Sequence, residues 1–255
     1  MEKRLTVKEI EHIISEMDMD SALKYLYALE IENKAIEKLK EKYIKKKEAY
    51  QKELQRLENM SSFEKQAYNE GYNFIAGIDE AGRGPLAGPV VAAAVILPKN
   101  VFIEKLNDSK KLSPKQRDAL YDEIMDKSID CAVGIVDEKC IDEINILNAT
   151  KKAMKIAIES LKTKPDLILT DAVNLDTVNI DQVNIVKGDS LSISIAAASI
   201  IAKVTRDRLI DKYDSIYPQY RFSKHKGYGT KEHIDAIKKY GICPIHRVSF
   251  IKNLV

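Results

Sequence analysis

Residues 74–97 read FIAGIDEAGRGPLAGPVVAAAVIL, and this stretch decides the fold. An apolar run ends in two adjacent acids, Asp79 and Glu80. A turn rich in glycine, Gly82-Arg83-Gly84-Pro85, then leads to a second apolar run of valine and alanine. That order predicts strand, tight loop, strand. Carboxylates at the end of a buried strand, where the chain leaves the sheet, are partly desolvated and can hold a divalent cation through oxygen. Glycines beside them let backbone amides approach a ligand with no side chain in the way. A solvated acid pair next to an ordinary turn reads the same locally, so the weight comes from further isolated acids in similar settings downstream.

Toward the C-terminus, Leu106 to Pro114 is a polar loop ending in Ser113 as N-cap, with Pro114 opening a helix to about Lys127. Cys131 to Val136 reads as a third strand and Asn145 to Leu161 as a helix. Pro165 to Thr170 repeats the first strand's design, an aliphatic run delivering one carboxylate, Asp171, at its end. Ligands of open α/β sheets gather at the carboxyl ends of strands, so Asp171 meets Asp79 if their strands are neighbours. A fifth strand, Gln182 to Val186, precedes Lys187-Gly188-Asp189 and a long helix from Ser190 to Tyr213. Small side chains at its start favour close packing on the sheet, and Asp189 is a candidate N-cap that still presents a lone pair outward. Tyr220 to Thr230 interleaves aromatics, cations and glycines, which suits stacking on sugars or bases while pairing phosphates. Thr230 caps a helix to about Tyr240, and His246-Arg247 reads as structural, with phosphate contact as the alternative.

Upstream, residues 1–72 read as helical throughout. Thr6 with Glu9 makes a capping box ahead of Ile10, Ile13, Ile14 and Met17. A short helix follows from Ser21 to Glu30. A long amphipathic one from Asn33 to Asn59 carries Ile36, Leu39, Tyr43, Tyr50, Leu54 and Leu57. Ser61 with Glu64 reads as a second capping box, and Gly71 as a stop. Two readings stand for this extension: helices packing their apolar stripe on themselves or on the following domain, or an arm gripping nucleic acid or a partner through Lys45-Lys46-Lys47.

Charge is uneven. Residues 187–255 carry a net +7, against −1 for residues 1–72 and −4 for residues 73–186. A basic surface facing an acidic centre suits a polyanion held across a metal site. The cysteines, Cys131, Cys140 and Cys243, are scattered without a CxxC, which argues against a disulfide framework or a thiolate zinc site. MEKRLTVKEI has no signal-peptide core, and no apolar run nears the ~20 residues that span a bilayer. The expected location is cytoplasmic, with no membrane partner. Four acids, Asp79, Glu80, Asp171 and Asp189, are enough to hold two divalent cations about 4 Å apart, an arrangement for in-line displacement at phosphorus. An all-oxygen set favours Mg²⁺ or Mn²⁺ over zinc.

GIDEAGRGPLAGPVVAAAVIL resembles the first motif of the bacterial type 2 ribonucleases H, the ribonuclease HII family. The likeness continues through DSKKLS (Asp108 to Ser113), LTDA (Leu169 to Ala172), KGDSLSISIAAASIIAKVTRDR (Lys187 to Arg208) and HKGYGTKEH (His225 to His233), covering about residues 73–250. The resemblance implies an α/β, ribonuclease H-like fold. Its mixed five-stranded sheet is flanked by helices, with the first three strands consecutive and antiparallel and a helical C-terminal region. The expected domains are a helical extension, residues 1–72, and a catalytic domain, residues 73–255. By the same resemblance Asp79, Glu80, Asp171 and Asp189 are catalytic and bind metal. The backbone of Gly82, Arg83 and Gly84 reads a 2′-hydroxyl, Lys110 and Lys111 contact phosphate, and Tyr228 meets the sugar at an RNA to DNA junction. Implied substrates are RNA/DNA hybrids and duplex DNA containing ribonucleotides, cut on the 5′ side to leave 3′-hydroxyl and 5′-phosphate ends by what is expected to be a monomer. A ribonuclease HIII-like nuclease is one alternative, from which Arg83 and the helical extension point away. A non-catalytic nucleic-acid-binding relative is the other, and the presence of all four acids argues against it.

Overall fold

The glycine-rich turn joins β1 (Ile75–Ala81) to β2 (Val90–Ile96), which pair antiparallel with Ala76 opposite Ile96 and Ala81 opposite Val91. These strands belong to a computed structural model that describes residues 5–29 and 33–252. Next, β3 (Asp130–Val136) adds antiparallel to β2. On the other side of β1, β4 (Leu167–Thr170) and β5 (Asp181–Asn184) add in parallel, giving the order β3-β2-β1-β4-β5. This is the mixed five-stranded sheet expected, with three consecutive antiparallel strands.

The helices, in chain order, are α1 (Val7–Ser15), α2 (Met19–Ala28), α3 (Lys34–Met60), α4 (Ser62–Asn69), α5 (Pro114–Lys127), α6 (Glu138–Glu159), α7 (Gly188–Leu191), α8 (Ile193–Ile216), α9 (Phe222–His225), α10 (Lys231–Tyr240) and α11 (Val248–Ile251). Every residue of β2 is buried because both faces of the sheet are covered. On one face Ala76, Ile78, Ala92 and Ala94 pack against Ala149, Ala153 and Ala157 of α6. On the other, α8 lies so close to β1 that a Cβ at Gly77 would come 2.0 Å from the Ser194 carbonyl carbon. Only glycine fits there, and residues 193–202, rich in alanine and serine, are buried throughout.

The chain divides into two compact units, Met1–Glu58 and Asn59–Val255. In the first, the Thr6–Glu9 capping box forms, and Ile10, Ile14, Ala22, Leu26, Ile36 and Leu39 make a core of their own. The first part of the stripe, Ile36 to Tyr43, packs on α1 and α2, Tyr50 and Leu54 stay exposed, and two of the three clustered lysines are engaged locally: Lys46 lies over the Tyr43 ring and Lys47 pairs with Asp20.

Local expectations fail where tertiary partners intervene. The second compact unit begins at Asn59, so it takes in α4, which packs Ala67, Phe63 and Tyr68 on Ile75, Leu167 and Ile195. The Ser61–Glu64 capping box does not form; Glu64 turns inward to α8. The helix expected from Asn145 begins earlier, at Glu138, capped by Asp137, and breaks at Asn145 (φ 66°), whose carboxamide caps the second segment through Leu147 and Asn148. The second helix starts at Met19, two residues early because Asp18 caps it, and the expected end at Glu30 lies outside the described residues. The fifth strand runs Asp181–Asn184, releasing Ile185 and Val186 into the turn before α7.

Candidate active site

Ile78 of β1 stands opposite Thr170, the last residue of β4, in parallel register, so Asp79 within β1 and Asp171 just past β4 come side by side. The Gly188 amide donates to Asp171 Oδ1 at 3.0 Å and ties α7, which carries the buried Asp189, to the same point. Asp189 does not cap the long helix. Ser192 does, accepting from the Ile195 amide, and this leaves the Asp189 carboxylate to the site. Ala172 and Lys187, non-glycine residues beside the acids, are held in left-handed conformations (φ 55° and 61°), the kind of backbone strain that gathers at functional turns.

Repulsion marks the cluster. Burial pushes Asp79 well above the usual carboxylate range and the Glu80 charge adds to this, while a hydrogen bond from Ser199 opposes it. Burial also raises Glu80, although Arg83 sits 3.2 Å from its Oε1. Asp189 is raised by burial and then by Asp108, against the pull of Lys110 at 3.4 Å. Lys110 itself is pushed up: partial burial works against its charge, and Asp189, Asp108 and Asp79 together outweigh it. Asp108, read from sequence only as part of a loop, is thus a fifth acid bordering the site.

No three His, Cys, Asp or Glu side chains among the described residues form a ready metal cage. The acids are engaged instead by Arg83, Lys110, Ser199 and the Gly188 amide. Still, the donors are all oxygen, they repel one another, and Glu80 Oε2 is buried with no partner among the described residues. A hard divalent cation satisfies all three conditions.

The loop of Gly82, Arg83 and Gly84 is shaped by two buried arginines. Arg247 donates to the carbonyls of Gly82 (2.6 Å), Arg83 (2.9 Å) and Gly88 (2.7 and 2.9 Å). Arg206 donates to those of Ala87, Pro89 and Lys226. At Gly82 (φ 96°) a Cβ would lie 2.1 Å from Arg206 Nε, so conformation and space both demand glycine. The Tyr228 ring lies beside Gly84 and stays 44% exposed, and Lys111 Nζ reaches Ser190 Oγ at 3.0 Å. Of the residues singled out in the sequence, Arg83 and Lys110 reach Glu80 and Asp189 directly, Lys111 reaches Ser190 beside Asp189, and Tyr228 lies against the Gly84 position. Arg206 and the loop-forming role of Arg247 were missed. Arg206 had a signal, since it shares a helical face with Ala202 and Ile210 at a spacing of four. Arg247, fully buried, has no access to phosphate.

Buried histidines hold the Tyr228 turn. His246 Nδ1 accepts from the Cys243 amide, so its Nε2–H donates to His233 Nε2 (3.1 Å), and His233 Nδ1–H donates to the Tyr228 carbonyl (2.9 Å). Both rings are neutral in this chain of bonds, and burial lowers each to about 4 from an ordinary 6.5. Because the folded values lie below the unfolded one, the stability the pair contributes is complete above pH 6.5 and is lost as pH falls toward 4. Melting temperature followed against pH should drop across that window, less steeply in His246→Asn.

The family model described as Ribonuclease HII matches residues 76–253. A ribonuclease HII of Acetivibrio thermocellus is 63% identical over 252 residues, 98% of each chain. One from Ruminiclostridium cellulolyticum is 57% identical over 251 residues, again 98% of each. Among solved structures, the ribonuclease H2 of Pyrococcus horikoshii superposes with a TM-score of 0.61 at 31% identity, covering 71% of this chain and 97% of that one.

Proposed function

The chain belongs to the ribonuclease HII family, endonucleases of ribonuclease H type acting on RNA/DNA hybrids, and from that premise we propose that it also incises duplex DNA on the 5′ side of an embedded ribonucleotide. The observation that carries this reading is the meeting of Asp79, Glu80, Asp171 and Asp189 beside the Gly82-Arg83-Gly84 loop and Tyr228. A nuclease that selects ribose needs acids for the phosphate chemistry and a rigid probe of the 2′-hydroxyl close beside them, and the Arg83–Glu80 contact supports that pairing.

On this reading the four carboxylates hold two divalent cations, Mg²⁺ or Mn²⁺. Such a pair, when bound, supplies an activated water and a stabilised leaving oxygen. The protein's own part is placement. Arg247 and Arg206 fix the loop so that its backbone faces the 2′-hydroxyl. Lys110 and Lys111, on the short turn capped by Asp108, stand where the scissile phosphate approaches the acids. Tyr228 offers its exposed ring to the adjoining sugar.

The test uses an end-labelled DNA duplex with one ribonucleotide and a uniform RNA/DNA hybrid, each with Mg²⁺ and with Mn²⁺. We expect one incision 5′ to the ribonucleotide, with 3′-hydroxyl and 5′-phosphate products. Cutting of the hybrid alone would overturn the incision and favour a ribonuclease HIII-like activity. Binding without cutting would favour a non-catalytic relative.

A further inference from the structure

We propose that Glu64, on the helix preceding the sheet, is a positioning residue for Asp189, acting through the turn that opens α8; the proposal rests on Asp189 being a metal ligand. Glu64 is the only acid of α4 and is 3% exposed. Its Oε1 accepts from Ser192 Oγ at 2.5 Å and from the Ser194 amide at 3.0 Å. Ser192 is itself the N-cap of α8, and its amide donates to the Gly188 carbonyl at 2.9 Å, closing the turn of α7 that carries Asp189. One carboxylate thus holds both the cap and a free amide of the first turn of α8, three residues after the site acid.

The rest of the turn has no slack. Ser194 rests on Gly77 of β1, two residues before Asp79, and the Gly188 amide is tied to Asp171. The anchor is equally fixed: Phe63, Ala67 and Tyr68 pack on Ile75, Leu167, Leu169 and Ile185, and Asp166 accepts from the amides of Asn73 and Phe74 where the helix leads into β1. Glu64 Oε2 has no partner among the described residues, and burial raises the group's pKa against the pull of its Ser192 and Ser194 bonds. A lone buried carboxylate costs stability that an apolar side chain would not. What it provides is a fixed point from which α7 presents Asp189.

Glu64→Met fills the same space without an acceptor, and Glu64→Gln keeps the Oε1 acceptor. Two quantities should be measured: Mn²⁺ affinity of the protein alone, from the spin-resonance signal of free Mn²⁺, and kcat and KM on the single-ribonucleotide duplex. We expect about tenfold weaker Mn²⁺ binding and about tenfold lower kcat for Glu64→Met, as for other residues that orient a metal ligand, with KM little changed. Glu64→Gln should recover most of both. Added to Asp189→Asn, Glu64→Met should weaken Mn²⁺ binding little further, since the ligand it positions is already gone. If Glu64→Met does not fold, Ser192→Ala cuts the same link and should show the same pattern. A variant that melts earlier yet binds Mn²⁺ and turns over like the parent would overturn the proposal, as would losses that multiply with Asp189→Asn. Should the unaltered protein neither bind Mn²⁺ nor cut, the metal-ligand reading beneath falls too; normal parent behaviour with an unaffected Glu64→Met protein removes this proposal alone.

Discussion

Asp79→Asn should lower cleavage of the single-ribonucleotide duplex by about a thousandfold or more while raising the melting temperature of the metal-free protein at pH 7. The two effects share one cause. A metal-held water and a stabilised leaving oxygen are worth several kcal/mol of barrier, and each ~1.4 kcal/mol is a factor of ten. Asparagine matches aspartate in shape and keeps an acceptor for Ser199, so the fold is undisturbed. It removes a buried charge that stands against Glu80 and Asp171. With a folded pKa raised above the unfolded value, Asp79 contributes stability only while protonated, and this is lost as pH rises through the folded pKa. The variant's advantage should therefore grow with pH and vanish in acid. Added Mn²⁺ should stabilise the parent far more than the variant. Duplex binding, carried by Lys110, Lys111 and the basic C-terminal quarter, should change by no more than a few-fold. A variant that still cuts within tenfold of the parent would remove Asp79 from the chemistry.

The acids were legible in the sequence because their signal is local. An aliphatic run that stops at a carboxylate marks both a strand and the place where it delivers a polar group, and β1 and β4 repeat that pattern. What could not be read were the decisions made by distant partners. Four candidate caps, Asp189, Ser190, Ser192 and Ser194, crowd the start of α8, and propensity ranks Asp and Ser alike. Ser192 is selected because Ser194 must seat on Gly77, more than a hundred residues away in sequence. Glu64 looked like half of a capping box and serves a different helix. The Gly82-Arg83-Gly84 turn was visible, but not the buried guanidinium that holds it open, because its partners lie some 165 residues upstream.

That guanidinium yields the largest expected effect on stability. Arg247→Ala leaves the carbonyls of Gly82, Arg83 and Gly88 without their donors in a buried setting. Each lost partner costs about 1–3 kcal/mol, so the sum for three carbonyls, roughly 3–9 kcal/mol, is a large part of the 5–15 kcal/mol that holds a typical domain together. Arg247→Ala should accordingly be mostly unfolded at 37 °C. Arg247→Lys is the more telling variant. It keeps the charge, but an ammonium cannot span three carbonyls as a planar fork does. It also loses the stacking of the guanidinium on Phe250. Leaving one or two carbonyls unpaired should lower the melting temperature by roughly 5–15 °C, at about 2–4 °C per kcal/mol for a domain of this size. The folded fraction should still hold its acids, since none of them touches Arg247, and so should bind Mn²⁺ as before. Its loop should no longer hold one geometry against the 2′-hydroxyl, and kcat/KM on the single-ribonucleotide duplex should fall about tenfold or more, the scale of losing one well-placed contact. Equal losses in Mn²⁺ affinity and in selectivity would mean that the substitution had disturbed the whole site, and the loop could not then be credited with reading the sugar.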